Sequence, residues 1–270
     1  MKKFELTTEF ITNAFGKKLF RIKALVEFGD VKAGELGGYV EKEENVSQDG
    51  NVWVYGDARV SGNAWVYGNA KVFDNAEVSG DAKVYGNARV SGDAKVYGNA
   101  RVYGDARVSG NARVSGDAKV FDNAEVSGDA KVYGNARVSG NAWVSGDARV
   151  YGDAWACGNA WACGNAWVRG NARVSGNAWV SGNARVSGNA WVSGDADYAL
   201  VQGFGTEFRC TTFYRGKNKK IMVNCGCFHG DLEGFRKQVK ETRNGKIAKE
   251  YLMIADLMEY HFTSEDSSDE

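Results

Sequence analysis

The sequence predicts a mainly β protein whose body is a single-stranded parallel β-helix of hexapeptide repeats. From Val54 to Val192, 24 consecutive six-residue units (hexads) follow the approximate pattern Val-x-Gly-(Asp/Asn)-Ala-x without an insertion or a deletion. Ala and Val alternate with two variable residues, so the apolar pair shares one face of a short strand. The Gly-Asn or Gly-Asp pair tolerates the left-handed backbone of a sharp corner. Each hexad therefore predicts one side and one corner of a coil.

Three such sides close a triangular coil, so three hexads make one turn. Eight coils rising about 4.8 Å each predict a rod about 38 Å long. Val occupies the inward position in 22 of the 24 hexads, with Ala156 and Ala162 as the exceptions. Stacked Val columns are expected to fill the interior, and the first and last coils need caps because their strand edges are open.

The flanks of the repeat predict these caps. Phe4 to Phe28 is expected to form a β-hairpin with a turn near Asn13 to Gly16. Val40, Val46 and Val52 continue the repeat weakly, in phase with the later alanines, so the helix is expected to begin one coil earlier. The carboxy-terminal flank predicts strands at Tyr198 to Gln202, Phe208 to Tyr214 and Lys220 to Asn224, and helices at Asp231 to Thr242 and Lys246 to His261, with Asp231 as an N-cap.

These elements divide the chain into four predicted segments. They are an N-terminal hairpin cap (1–36), the parallel β-helix (37–197), a small α+β module (198–262) and an acidic disordered tail (263–270).

Composition gives the chain no preferred charged partner. Lys plus Arg and Asp plus Glu both number 34, which does not favour nucleic acid or an anionic membrane. The amino terminus lacks the apolar core of a signal peptide, and no segment is apolar enough to span a bilayer. The five cysteines do not predict a disulfide framework, and Cys157 and Cys163 are expected on different faces. A cytoplasmic protein with reduced thiols is the expectation.

Outward positions three hexads apart are expected to stack in columns, one for each face of the prism. One column runs Lys71, Arg89, Arg107, Glu125, Trp143, Trp161 and Trp179. A second runs Trp65, Lys83, Arg101, Lys119, Arg137, Trp155, Arg173 and Trp191. The third runs Arg59, Glu77, Lys95, Arg113, Lys131, Arg149, Trp167 and Arg185.

Seven of the eight tryptophans lie outward in the repeat, six of them in its carboxy-terminal half. Trp143, Trp161 and Trp179 are candidate binding residues, because exposed aromatic area on this scale usually marks an interface. The alternative is that aromatic ladders simply stack and stabilise neighbouring coils.

A second candidate surface combines aromatic and basic residues. Tyr67, Tyr85 and Tyr103 lie beside the basic column of Lys83, Arg101 and Lys119, and together they could hold an anion or a nucleotide-like molecule. Asp and Asn at the corners favour a solvated, mixed surface instead, so nucleic acid is not the preferred partner.

Cysteine and histidine residues near the carboxy terminus form a weak zinc pattern. Cys210, Cys225, Cys227 and His229 are four potential ligands, but the Cys-x-Cys spacing favours buried thiols. No metal site and no cofactor are assigned.

The pairing of an aliphatic residue with a small residue four positions later, as in Val60 and Ala64, resembles the left-handed parallel β-helix of hexapeptide-repeat proteins. Left-handedness is implied by this resemblance. The flanking segments Gly16 to Leu25, Val31 to Tyr39 and Cys225 to Phe235 resemble uncharacterised hexapeptide-repeat proteins of phages, prophages and gut bacteria. Many hexapeptide-repeat proteins are acyltransferases, but both histidines lie outside the repeat and no coil is interrupted, which does not favour that activity.

The preferred interpretation is therefore a non-enzymatic scaffold or binding protein of phage or prophage origin. It is expected to assemble as a homo-oligomer, preferably a trimer, and to bind an unidentified protein or small molecule. The alternatives are a sponge for a nucleotide-like molecule that counters host defence, and a hexapeptide-repeat acyltransferase.

Overall fold

A parallel β-solenoid forms the body of the molecule, with a β-hairpin at its first turn and a small α+β module at its last. The computed structural model describes residues 2–206, 209–217 and 219–263. One sheet contains nine parallel solenoid strands and the two hairpin strands, and two further sheets contain eight parallel strands each. The predicted β-helix is confirmed as a solenoid of about nine turns, including the additional first turn.

The amino-terminal hairpin consists of β1 (Phe4–Thr12) and β2 (Lys18–Ala24). Strand β2 pairs antiparallel with β3 (Leu36–Val40), which is the first solenoid strand. The predicted hairpin is confirmed, and it extends one of the three sheets rather than only covering its edge.

Twenty-four short strands follow, one for each hexad. They are β4 (Trp53–Val54), β5 (Arg59–Val60), β6 (Trp65–Val66), β7 (Lys71–Val72), β8 (Glu77–Val78), β9 (Lys83–Val84), β10 (Arg89–Val90), β11 (Lys95–Val96), β12 (Arg101–Val102), β13 (Arg107–Val108), β14 (Arg113–Val114), β15 (Lys119–Val120), β16 (Glu125–Val126), β17 (Lys131–Gly134), β18 (Arg137–Val138), β19 (Trp143–Val144), β20 (Arg149–Gly152), β21 (Trp155–Ala156), β22 (Trp161–Ala162), β23 (Trp167–Gly170), β24 (Arg173–Val174), β25 (Trp179–Val180), β26 (Arg185–Val186) and β27 (Trp191–Val192).

Every third strand belongs to the same sheet, so each sheet forms one face of the prism. The Trp face consists of β4, β7, β10, β13, β16, β19, β22 and β25. The Tyr face consists of β6, β9, β12, β15, β18, β21, β24 and β27. The mixed face consists of β3, β5, β8, β11, β14, β17, β20, β23 and β26. Within the repeat, each strand pairs in parallel with the strand three hexads away, for example Arg89 with Arg107, which confirms the three predicted columns.

The inward positions form one continuous apolar core. Every repeat Val is fully buried, and Ala156 and Ala162 are each 1 % exposed. Burying a Val side chain contributes about 1.5 kcal/mol or more, so the uniform columns stabilise every turn without help from another chain.

Left-handed corners let the chain turn after each side. Gly110, for example, has a φ of 65°, and a Cβ built there would lie 3.0 Å from the backbone nitrogen of Gly128 in the next turn. At two corners Asp74 and Asp122 replace glycine with φ values of 61° and 59°. Their carboxylates accept hydrogen bonds from the backbone nitrogens of Gly92 and Gly140, at 3.0 and 3.2 Å, which offsets the cost of the strained conformation.

The three sides of the prism are interchangeable. Residues 70–92 and 118–140 are identical in sequence, but they are displaced by eight hexads and so start on different sides. Glu77 pairs within the mixed face, whereas its counterpart Glu125 pairs within the Trp face. The hexad therefore specifies a side and a corner but not which side it becomes.

The first turn departs from the predicted phase. Val40 pairs with Val60, and Val46 bridges Val66, so both lie in the valine columns. The prediction that they align with the later alanines was wrong, because two additional residues lie between Val46 and Val54. Only Val52 has the alanine phase, since the next residue, Trp53, donates to the Ala70 carbonyl.

Side chains from the amino terminus close the first turn. The Lys3 ammonium donates to the carbonyls of Gly50 and Val52, at 3.2 and 3.1 Å. Trp53 is fully buried, with the rings of Phe4 and Phe28 packed edge-on at 5.9 and 5.4 Å. Buried polar edge groups need such donors because water cannot reach them.

The carboxy-terminal module is a four-stranded antiparallel sheet with two helices. It contains β28 (Tyr198–Phe204), β29 (Arg209–Arg215), β30 (Ile221–Cys225), β31 (Phe228–Asp231), α1 (Leu232–Thr242) and α2 (Gly245–Thr263). Three predicted strands and both helices are confirmed, and Asp231 caps α1 by accepting from the Gly234 nitrogen at 2.9 Å. Strand β31 was not predicted, because its Gly and His residues do not carry a β pattern.

This module seals the last turn. At the open edge of β26, the backbone nitrogen of Arg185 donates to Thr212 Oγ1 at 3.0 Å. The Arg185 carbonyl accepts from Asn224 Nδ2 at 2.6 Å. Tyr214 is fully buried and belongs to the solenoid core. The hairpin and the module therefore use different residues, but both supply hydrogen-bond partners and apolar side chains to an open end of the solenoid.

Of the predicted disordered tail at 263–270, Thr263 is the last residue of α2, which contradicts the prediction there. Residues 264–270 lie outside the described residues, as does Phe208 of the predicted second strand. Neither helix of the described module is long and apolar enough to cross a membrane.

The corner geometry predicts a strong preference at position 110. We expect Gly110→Val to lower the free energy of unfolding by about 2 kcal/mol, because a β-branched side chain is strained at positive φ and meets the next turn. Gly110→Asn should cost less, since Asp74 and Asp122 show that a short polar side chain fits. Urea unfolding followed by circular dichroism measures both, and equal losses would contradict the explanation.

The buried amine predicts an unusual pH dependence. Burial lowers the pKa of Lys3 from 10.5 to about 8, so the unfolded chain binds more protons between these values, and stability rises with pH. From pH 7.5 to 9.5 the gain should be about 2 kcal/mol. We expect Lys3→Met to remove this rise in thermal-melting profiles, and a variant that retains it would assign the rise to other groups.

Candidate binding surfaces

The predicted aromatic residues of the Trp face form a continuous exposed ladder. The ring centroids of Trp143 and Trp161 are 5.1 Å apart, those of Trp161 and Trp179 are 5.3 Å apart, and both pairs are edge to face. The three side chains are 37 %, 40 % and 49 % exposed. The sequence placed them correctly because a spacing of three hexads returns each ring to the same side, one turn later.

Indole nitrogens of this ladder are held by the preceding turn. Trp143 Nε1 donates to Ser127 Oγ at 3.0 Å, and Trp179 Nε1 donates to Cys163 Sγ at 3.0 Å. These two rings therefore lean over the small residue beside the preceding strand of their face. The rings are fixed in position while much of their apolar surface remains exposed, which suits a rigid contact surface.

Two tryptophans on the other two faces, Trp155 and Trp167, are covered by arginine, whereas Trp65 and Trp191 on the Tyr face are each 42 % exposed. The Arg149 and Arg185 guanidinium groups lie 5.1 and 4.9 Å from the Trp167 ring centroid. Arg173 lies 4.7 Å from Trp155. Trp155 and Trp167 are consequently only partly exposed. The expectation that all seven outward tryptophans are well exposed was wrong for these two.

The Tyr face carries a second ladder, built from the predicted tyrosines. Tyr67, Tyr85, Tyr103 and Phe121 stack face to face with centroid separations of 4.7, 4.9 and 5.1 Å. Trp65 stacks on Tyr67 at 4.2 Å. Burial raises the pKa of Tyr67 and Tyr103, so both phenols stay neutral at physiological pH. Their ring faces are occupied by one another, which leaves the ring edges for a ligand.

The basic column beside this ladder has no acidic member. Lys83, Arg101 and Lys119 stack in one line with Arg137. Within the described ranges, none of these four side chains forms an ion pair. The other faces differ, because Glu77 pairs with Arg59 and Lys95 at 3.6 and 3.1 Å. The predicted basic residues are therefore together, and no carboxylate within their own column offsets their positive charge.

The corners carry ordered polar ladders that were not predicted from the sequence. In the corner column before the Tyr face, the residues are Asn63, Asp81, Asn99, Asp117, Asn135, Asp153, Asn171 and Asn189. Asn63 Nδ2 donates to Asp81 Oδ1 at 3.0 Å, and Asn99 donates to Asp117 at 2.9 Å. An amide both donates and accepts whereas a carboxylate only accepts, so the alternation bonds the column and separates like charges. The three-hexad spacing of Asn and Asp was the available signal.

A cavity of about 750 Å³ opens where the module meets the last turn. Its lining includes Trp191, Lys217, Lys219 and Phe262. The sequence does show a basic segment between Tyr214 and Ile221, which lines this cavity. No local pattern, however, indicates where that segment lies relative to the solenoid.

The weak zinc candidates do not form a common site. The Cys210 thiol donates to the Asn183 carbonyl at 3.4 Å, and burial raises its pKa. Cys225 accepts from Thr211 Oγ1 at 3.1 Å, Cys227 is exposed, and His229 Nδ1 lies 2.7 Å from Asn224 Oδ1. The described residues contain no group of three or more His, Cys, Asp or Glu side chains that could hold a metal ion.

The repeat is similar to a known solenoid family. The family model described as the YdcK β-solenoid repeat matches residues 54–68, 82–96, 94–108, 106–120, 130–146, 142–158, 168–182 and 178–194. No curated protein matches the chain. The matched segments all lie within the solenoid, so the family match and the geometry agree on a β-solenoid repeat protein.

Proposed function

We propose that this protein is a non-enzymatic β-solenoid scaffold that docks a protein partner on its Trp face. The ladder of Trp143, Trp161 and Trp179 carries this proposal, because the three rings stay 37–49 % exposed on a rigid backbone. Tryptophans that protrude from a preformed surface are the residues that most often dominate protein binding energy. A ladder needed only for stacking would gain more from burial than from this exposure.

The uninterrupted solenoid supports a non-enzymatic role. Successive strands stay in phase from Trp53 to Trp191, so no loop leaves the coils to enclose a substrate. General acid–base chemistry needs a positioned group of suitable pKa. His229 is tied to Asn224 at the capping contact, and His261 lies on α2, so neither lies on a solenoid face.

The finer features of the proposal rest on the resemblance of the repeat and flanks. They are a left-handed winding, an origin in a phage or prophage, and a location in the bacterial cytoplasm. The location has separate support, because all five cysteines are free thiols and reduced thiols are the norm in a reducing compartment.

Removing the ladder tests the docking role. We expect the triple variant Trp143→Ser, Trp161→Ser, Trp179→Ser to fold, since no inward residue changes. Affinity capture from the host, followed by reconstitution with the purified partner, should show wild-type binding and at least about a hundredfold weaker binding by the variant. Isothermal calorimetry with the reconstituted pair supplies the affinities.

Trp65→Ser, Trp155→Ser, Trp167→Ser is the matched control, because it removes three outward tryptophans from the other faces and leaves the Trp face intact. It should bind the partner like the wild type. Equal losses in both triple variants would refute a specific Trp face. Detectable acetyl transfer from coenzyme A by the purified protein would overturn the non-enzymatic part.

A small-molecule sponge is the second candidate, and the basic column of the Tyr face, which has no acidic member and lies beside the tyrosine ladder, favours it. Lys83, Arg101 and Lys119 could pair with the phosphates of a nucleotide-like molecule, while the edges of Tyr85 and Tyr103 contact its base. Because the tyrosine faces are already stacked, binding would depend more on the cations than on stacking.

A thermal-shift screen with nucleotides and cyclic nucleotides tests this candidate. If it holds, a nucleotide should raise the melting temperature of the wild type, and Lys83→Gln with Arg101→Gln should abolish the rise. Lys95→Gln with Arg113→Gln, the same substitutions on the mixed face, should not. A screen without any shift would remove the candidate.

A further inference from the structure

The first outward column of the Trp face has a mirrored chemical order. Its first member, Trp53, is fully buried under the amino-terminal hairpin. The exposed part then reads Lys71, Arg89, Arg107, Glu125, Trp143, Trp161 and Trp179, with each residue paired to the next. Three cations therefore precede Glu125 and three tryptophans follow it at equal steps. A column of this kind complements its own reverse.

We propose that the Trp face is a homodimer interface on which a second copy lies antiparallel. The two copies are related by a two-fold axis that lies between the two faces, perpendicular to the rods, at the level of Glu125. This arrangement places Lys71 opposite Trp179, Arg89 opposite Trp161, and Arg107 opposite Trp143, each pair occurring twice. The inference rests on the proposed docking role of the ladder and names its partner as a second copy of this chain.

The chemistry of the facing pairs already operates elsewhere in the molecule. On the mixed and Tyr faces, arginines lie 4.7–5.1 Å from the Trp155 and Trp167 ring centroids. These distances are typical of cation–π contacts. On the Trp face, Arg89 and Trp161 are four turns apart, about 19 Å along the rod. They can meet only between two chains.

The other faces do not complement themselves in this way. Reversing the Tyr face about its middle places Lys83 opposite Arg173 and Lys119 opposite Arg137. Reversing the mixed face places Arg59 opposite Arg185 and Lys95 opposite Arg149. Like charges at these positions repel. A parallel copy on the Trp face would likewise set Arg89 against Arg89, so the mirrored order favours one face and one direction.

Shape and charge also suit this contact. The second outward column of the Trp face from Ser91 onward contains only small residues, Ser91, Ser109, Ser127, Ser145, Cys163 and Ser181. Two facing Glu125 side chains would meet at the axis, but each is ion-paired with Arg107 at 3.3 Å. A face of about 38 by 15 Å buries roughly 1,100 Å² in total, at the lower end of specific interfaces. We therefore expect a weak, concentration-dependent dimer.

A charge swap tests the facing pairs. Sedimentation velocity over a concentration series should show a wild-type dimer. Arg89→Trp sets Trp against Trp161, and Trp161→Arg sets Arg against Arg89, so each single variant should raise the dissociation constant about tenfold. The double variant restores a cation opposite each tryptophan and should return to within about threefold of the wild type.

Arg101→Trp, the same substitution in the same hexad position on the Tyr face, is the control and should dimerise like the wild type. Melting curves of all variants exclude unfolding as the cause of any loss. Orientation is tested by mixing Arg89→Cys and Trp161→Cys chains under oxidation, which should give a disulfide between the two different chains. A disulfide only between Arg89→Cys copies would indicate a parallel pair and overturn the proposal.

A monomer at about millimolar concentration, a trimer, or a dimer insensitive to the swap would also overturn it. These results are distinguishable from failure of the proposed function. A monomeric wild type whose other protein partner is lost with the tryptophan triple variant keeps the docking role and rejects the homodimer. A swap-sensitive dimer that captures its partner through another face keeps the homodimer and rejects docking of that partner on the Trp face.

Discussion

The closing of each turn after three hexads is the constraint on which this structure depends. It requires a left-handed corner after every side. Glycine forms this corner almost everywhere, and Asp74 and Asp122 form one corner each. Once the corners are equal, identical positions stack at the strand spacing, and one valine column per face completes the core. The ladders of tryptophan, tyrosine and asparagine are consequences of the same spacing. A single corner of different length would shift every later ladder.

This dependence explains why the sequence predicted so much of the fold. The inward Val and Ala positions, the three columns and the exposed Trp143 follow from a fixed period and from alternation along a strand. The phase of the first turn was predicted wrongly because two additional residues lie between it and the regular hexads. The local pattern around Val40 and Val46 does not show where these two residues are inserted. Strand β31 escaped because pairing with β30, not β propensity, orders it.

The sequence predicted which residues lie on the candidate surfaces, but not which side chains they contact there. The columns identified Trp155 and Trp161 equally, yet Arg173 covers the first ring whereas Trp161 contacts two other tryptophans. Which neighbour covers an outward ring depends on side-chain direction between turns, and a one-dimensional pattern does not contain it. The separation of Cys210 from His229 is similar, because their contacts with Asn183 and Asn224 arise only when the module docks on the last turn.

The interchangeable sides have a consequence for how such a chain can evolve. Because residues 70–92 and 118–140 fold identically on different sides, a gene that gains or loses one hexad by slippage still encodes a sound core and intact corners. Every outward residue beyond that point, however, rotates to the neighbouring face, and the tryptophan ladder would no longer continue the column of Lys71 and Arg89. We therefore expect the number of hexads to be conserved by selection on the surface residues. The interior would tolerate any whole number of hexads that still lets the hairpin and the module cover the two ends.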